Sequence, residues 1–151
     1  MNIETNIDTS FLARRRERQI KFERSVLQEL SLAILKKSVH NYFAGLLTNS
    51  GFLFDQVIEE GCYDVALEVY LLGSSYSRLG YYGKPIEEVK ISSLEERRNF
   101  SKALQDFIAY WGAKLDEQNE ERLESQCDAF VDHWFMEGFV KGKMKYKMRL
   151  H

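Results

Sequence analysis

Residues 56–83, QVIEEGCYDVALEVYLLGSSYSRLGYYG, decide the fold class. Val57, Ile58, Cys62, Val65, Ala66, Leu67, Val69, Tyr70, Leu71 and Leu72 occupy most of a helical circumference, which is the pattern of a helix surrounded by others. Against this apolar background Glu60, Asp64 and Glu68 recur every fourth residue and so share one side of the helix. Gly73, Ser74, Ser75 and Ser77 keep the last third small enough for close approach of another backbone. Gly80 or Gly83 can then take a left-handed cap, and Pro85 stops the helix. The expected fold is an all-α, single-domain bundle of four or five helices around a central helix near 56–79.

Outward from that helix, periodicity marks its partners. Upstream, residues 11–37 carry Ile20, Leu27, Leu30 and Ile34 at helical spacing, with Asp8, Thr9 and Ser10 as capping candidates. The pattern continues through Val39, Tyr42, Phe43, Leu46 and Leu47, so a bend or a second helix is expected near 38–41, ending at the turn cluster 48–51. Downstream, 84–92 reads as a connector with β-compatible residues. A capping-box-like Ser92 or Ser93 with Glu95 and Glu96 then opens a helix over 94–115. A last helix starts near Glu120 and carries Leu123, Cys127, Phe130, Val131, Trp134, Phe135 and Phe139. The expected organisation is a flexible arm at 1–8, a helical domain at 9–142 and a basic tail at 143–151.

The 151 residues, 44% apolar and 29% charged, suit one ordinary folded domain with enough chain to bury a core. One proline and nine glycines argue against a fold made of many short turns. Two cysteines, Cys62 and Cys127, make neither a disulfide framework nor a CxxC motif, which points to a reducing compartment. The first residues lack a signal-peptide pattern, and no run reaches the ~20 apolar residues of a membrane span, so a cytoplasmic protein is expected.

The net charge of −2 hides segregation. Residues 11–24 carry a net +4, residues 141–151 carry +5 with no acid, and residues 51–138 carry −10. Such basic ends either close onto the acidic middle or face an anionic partner. Arg14, Arg15, Arg16 and Arg18, with Lys143, Lys145, Lys147 and Arg149, are therefore the candidate anion-binding residues for nucleic acid or an anionic lipid surface. An extended tail would put its lysines on one side and Met144, Tyr146 and Met148 on the other; a helix would scatter them.

The carboxylates Glu60, Asp64 and Glu68, joined by Asp132 and His133, form the candidate metal site, with Asp128 and His40 as further companions. Bundle metal sites use Glu-x-x-His pairs, and this chain has none. The acids are better read as ion pairs with first-helix arginines or as a solvated face, and no cofactor is expected. No nucleophile elbow, Walker A or GxGxxG pattern occurs. The leading functional expectation is a non-enzymatic protein that binds a protein partner or itself, with Tyr76, Tyr81 and Tyr82 as contacts.

EGCYDVALEVYLLG, the following GYYGKP, the upstream FERSVLQELS and the downstream WF-x-x-GF-x-x-G from Trp134 to Gly142 resemble an uncharacterised family of short proteins from Bacillus and its relatives, domain of unknown function 2521. The resemblance spans about residues 22–149. It implies a bacterial, cytoplasmic, single-domain protein and brings no activity with it.

Overall fold

The apolar stripes of the central and last helices are the surfaces on which they meet. In the first part of the chain, by contrast, Ile20 and Ile34 of the expected stripe are exposed, and Phe22, Val26, Leu35 and Val39 are buried in their place. A computed structural model of the chain describes residues 3–28, 30–46, 52–111 and 117–149, with side chains for 10–28, 30–46, 56–111 and 119–148. Five α-helices follow in order: α1 (Ile3–Leu27), α2 (Leu32–Phe43), α3 (Phe52–Tyr81), α4 (Ile86–Trp111) and α5 (Glu117–Arg149). A single 3-10 turn, Ala44–Leu46, extends α2, and no strand occurs among the described residues.

Helices α3 and α5 form the axis of the bundle. On α3 the buried stripe is Ile58, Cys62, Ala66, Val69, Tyr70, Ser74 and Ser77, and on α5 it is Leu123, Cys127, Phe130, Trp134, Phe135 and Phe139. Side chains shrink along this seam. A Cβ on Gly138 would stand 1.9 Å from the Tyr70 carbonyl oxygen, and one on Gly73 would stand 2.0 Å from that of Phe135. Gly142 lies against Ser74 and Ser77 in the same way. Residue numbers rise together across the seam, from Gly73 beside Phe135 to Tyr81 beside Tyr146, so the two helices run parallel.

Helix α4 returns between them in the opposite direction, with Phe107 over Gly61 and Glu96 bonded to Tyr76. It begins at Ile86, immediately after Pro85, so the segment read as a partly extended connector is helical. The Pro85 carbonyl accepts from the Glu88 and Val89 amides, and Glu87 and Glu88 suit the positive end of the helix dipole. Val89 is fully buried, and that tertiary contact outweighs the β-preference of its neighbours. The true turn is short and uses Gly83 at φ +94.

The first two helices form one broken rod antiparallel to α3 and α5. The Tyr70 hydroxyl donates to the Val26 carbonyl at 3.1 Å, and the Trp134 indole N–H donates to Ser38 Oγ at 3.1 Å. The break falls at 28–31, ahead of the expected bend, because Ser31 in an extended conformation caps α2 by accepting from the Ala33 amide. α1 begins at Ile3, earlier than the Asp8–Ser10 capping candidates, of which the side chains of Asp8 and Thr9 lie outside the described residues. The turn cluster 48–51 also lies outside them. α5 begins at Glu117 and stays helical through Arg149, so the segment 143–149 is the last two turns of a long helix.

Candidate functional site

Where α1 crosses the ends of α3 and α5, the seam is too narrow for a third helix to sink in, and a cleft of about 390 Å³ opens. From α1 come Arg15, Arg18, Gln19 and Phe22, spaced so that one helical face presents all four. Helix α3 supplies Ser74, Ser75, Ser77 and Arg78, and α5 supplies Tyr146. Three guanidinium groups thus line one hollow, and among the described residues no carboxylate lines it.

The serines shape the cleft more than they charge it. Their hydroxyls donate back to the helix, Ser74 to the Leu71 carbonyl, Ser75 to that of Leu72 and Ser77 to that of Ser74. This leaves the guanidinium N–H groups as the donors for an anion. Arg78 lies 5.9 Å from the Tyr82 ring centre, so the aromatic face holds part of its side chain in place. Tyr146 packs on Phe22 and Tyr81, with ring centres 6.3 and 5.0 Å away. A hydrogen bond with Tyr82, and then burial, raise its hydroxyl above the ordinary tyrosine value, while Arg78 pulls the other way. On the far side of Phe22 a second hollow of about 280 Å³ is lined by Lys21, Ser25, Lys145 and Met148.

The candidate residues are therefore divided. Arg15 and Arg18 enter the cleft, while Arg14 and Arg16 are exposed elsewhere on α1. Lys143 and Lys147 are exposed and Lys145 is half-buried; the helix scatters them as its geometry requires. The side chain of Arg149 lies outside the described residues. Arg78, absent from the candidates, completes the site. Its only sequence signal was a lone cation on the same helical side as Ser74 and Ser75, which charge counting over the acidic middle concealed.

The acidic line has a different fate from the one expected. Glu60, Asp64 and Glu68 are exposed on α3, and none forms an ion pair among the described residues, so no α1 arginine answers them. They do not meet Asp132 or His133. Asp132 accepts from Arg97 Nη1 at 2.6 Å on the α4 side of α5. His133 is exposed beside Tyr42 and Trp134. His40 Nε2 lies 3.1 Å from Glu59 Oε1, and Asp128 accepts from Ser101. Among the described residues no group of three His, Cys, Asp or Glu side chains is placed to hold a metal ion.

The internal arginine pair exists, on other residues. Arg97 is buried, with Nε on Ser93 at 3.0 Å, Nη2 on the Lys90 carbonyl at 2.7 Å and its guanidinium 5.4 Å from the Phe135 ring centre. With Nη1 on Asp132, each guanidinium nitrogen has a partner, and the group ties α4 to α5. Of the three tyrosine contacts, Tyr76 is committed inside: its hydroxyl donates to Glu96 and approaches the Ser92 carbonyl at 3.2 Å. That hydroxyl is pushed up to about 12, first by the bond to Glu96 and then by burial. Tyr81 is half-buried against Tyr146, and Tyr82 is 65% exposed.

Among the described residues no helix is long and apolar enough to cross a membrane. The chain is 29% identical over 147 residues to the uncharacterised protein YbaK of Bacillus subtilis (strain 168), an alignment that covers 93% of this chain and 96% of that protein. No solved structure matches it. The family model described as "Protein of unknown function (DUF2521)" matches residues 5–151, and with that coverage the chain belongs to this family.

Proposed function

We propose that the protein is a cytoplasmic binding module that captures an anionic, phosphate-bearing group in the cleft between α1, α3 and α5. The observation that carries this reading is the convergence of Arg15, Arg18 and Arg78, from two helices, on one hollow with no acid in its lining among the described residues. Like charges so placed repel, and an anion offsets the repulsion. Guanidinium is the natural partner for phosphate because its planar fork can donate two parallel hydrogen bonds. A cleft near 390 Å³ is at the small end of ligand pockets, which suits a compact anionic group better than a large organic ligand. Association through Tyr76, Tyr81 and Tyr82 draws less support, because the first two are engaged within the molecule.

Calorimetric titration of the full chain with inorganic pyrophosphate tests the reading. Binding is expected at low salt, with at least about a fivefold loss of affinity in Arg78→Gln, the scale of one charge-assisted contact. A folded wild-type protein that binds neither pyrophosphate nor inorganic phosphate overturns it.

A further inference from the structure

Resting on that reading of the cleft, we propose that its anion is the headgroup phosphate of an anionic lipid, and that this end of the bundle lies against an anionic bilayer surface. The first support is where the cleft opens. Arg18 shares it with Arg78, and α3 ends at Tyr81, only three residues further. Since α1 runs antiparallel to α3, Phe11 lies about 10 Å beyond Arg18 along the helix, past the last turn of α3. Phe11 is also three turns before Phe22 on the same side of α1, and Leu12 follows the side of Gln19.

Both side chains are bare: Phe11 is 59% and Leu12 60% exposed. Tyr82 in the α3–α4 turn joins them at this end, 65% exposed. Single exposed apolar residues are ordinary. Here α1 presents two and the turn one, among the cations Arg15, Arg18 and Arg78.

Charge supplies the complement. Arg14 and Arg16 are exposed on the same stretch of α1, outside the cleft lining, and Lys143 and Lys147 are exposed on the last turns of α5, a stretch without an acid. The acidic line of Glu60, Asp64 and Glu68 occupies the other half of α3, and at the basic end the exposed acids Glu17, Glu87 and Glu88 are outnumbered by Arg14, Arg15, Arg16, Arg18, Arg78, Lys84, Lys143 and Lys147. Apolar and aromatic tips set among arginines and lysines are the pattern of an interfacial segment, in which cations meet headgroups and tips reach the acyl boundary. A nucleic acid backbone or a free phosphate compound would engage the arginines and leave Phe11, Leu12 and Tyr82 in water.

Co-sedimentation of the full chain with vesicles is the test. Vesicles of phosphatidylcholine with roughly one quarter phosphatidylglycerol are expected to carry the protein down, phosphatidylcholine alone is not, and salt near 500 mM should release it. Arg78→Gln should weaken vesicle binding roughly fivefold, as one surface cation does. The double variant Phe11→Ser, Leu12→Ser should weaken it at least about tenfold by removing two buried tips, while pyrophosphate binding stays unchanged. Pyrophosphate binding without vesicle binding overturns the lipid assignment and leaves the cleft reading standing; loss of both overturns both. Vesicle binding indifferent to either variant, or tighter retention on duplex DNA that ignores Phe11 and Leu12, also overturns the lipid assignment.

Discussion

At Gly138 and Gly73 the backbones of α3 and α5 pass so closely that the missing Cβ is the reason the seam can close. Because the obstructing atoms are carbonyl groups of the facing helix, relief requires moving a helix. Gly138→Ala is expected to cost about 3 kcal/mol or more, read as a drop in the denaturation midpoint. Gly83 is the contrast: a Cβ there meets open space, and only its φ of +94 objects. Gly83→Ala should cost about 1 kcal/mol.

The buried thiols give a second residue-level prediction. Burial holds Cys127 up to about 12 and raises Cys62 as well, from an ordinary value of 9.0, while Tyr76 is raised from 10.0 to about 12. In each case the folded state holds the proton more tightly than the unfolded chain. The stability this provides is complete below about pH 9 and is lost as pH rises toward 12. Ellipticity followed from pH 8 to 12, values that bracket this window, should show unfolding that Cys62→Ala, Cys127→Ala shifts to higher pH. An unshifted curve would assign the loss to tyrosine and lysine.

At the scale of the elements, α1 is held by its second half. Phe22 and Val26 are buried, while residues 10–21 are exposed throughout. The buried bond from the Tyr70 hydroxyl to the Val26 carbonyl fixes the register of α1 on the bundle. Tyr70→Phe should leave α3, α4 and α5 protected from amide exchange and raise exchange across α1. Equal acceleration in every helix would show that α1 is integral to one cooperative unit.

The helices themselves were legible in the sequence wherever burial wrote a period. The 56–83 stretch became α3 with its ends displaced by a few residues, and the aromatic face from Leu123 to Phe139 became the buried side of α5. What was not legible depends on tertiary contact. Val89 made a helix of a segment whose local preference is extended, and Ser31 broke the rod before the bend that the apolar pattern placed near 38–41. The site was half legible. A cluster such as RRRER announces itself, but the sequence cannot say that Arg15 and Arg18, rather than Arg14 and Arg16, share a cleft with Arg78, sixty or more positions away. Likewise, the pairs expected between the Glu60, Asp64 and Glu68 line and first-helix arginines do not form, while Asp132, named from the sequence as a metal candidate, pairs with Arg97, which the sequence did not single out.

For the molecule as a whole, charge is sorted along the bundle. The acids Glu60, Asp64 and Glu68 face water and hold nothing together, so Glu60→Gln, Asp64→Asn, Glu68→Gln in combination should leave the denaturation midpoint unchanged. The basic end behaves oppositely. Phosphate added to the buffer should raise the melting temperature, with the stabilisation growing as the logarithm of phosphate concentration once it exceeds Kd, and Arg78→Gln should weaken that response.

The broken rod of α1 and α2 sets the order in which the protein can be made. Helix α4 packs on both of its sequence neighbours, α3 and α5, while the central α3–α5 seam joins residues about sixty or more positions apart and closes only when α5 has been made. Helix α1 leaves the ribosome first, yet its seat is shared between α3 and the last turns of α5 and exists only after Tyr146 has emerged. During that interval its arginines and Phe22 are available to whatever surface is near. Helix α1 is made before the helices that house it, and a nascent chain halted before α5 would display it permanently.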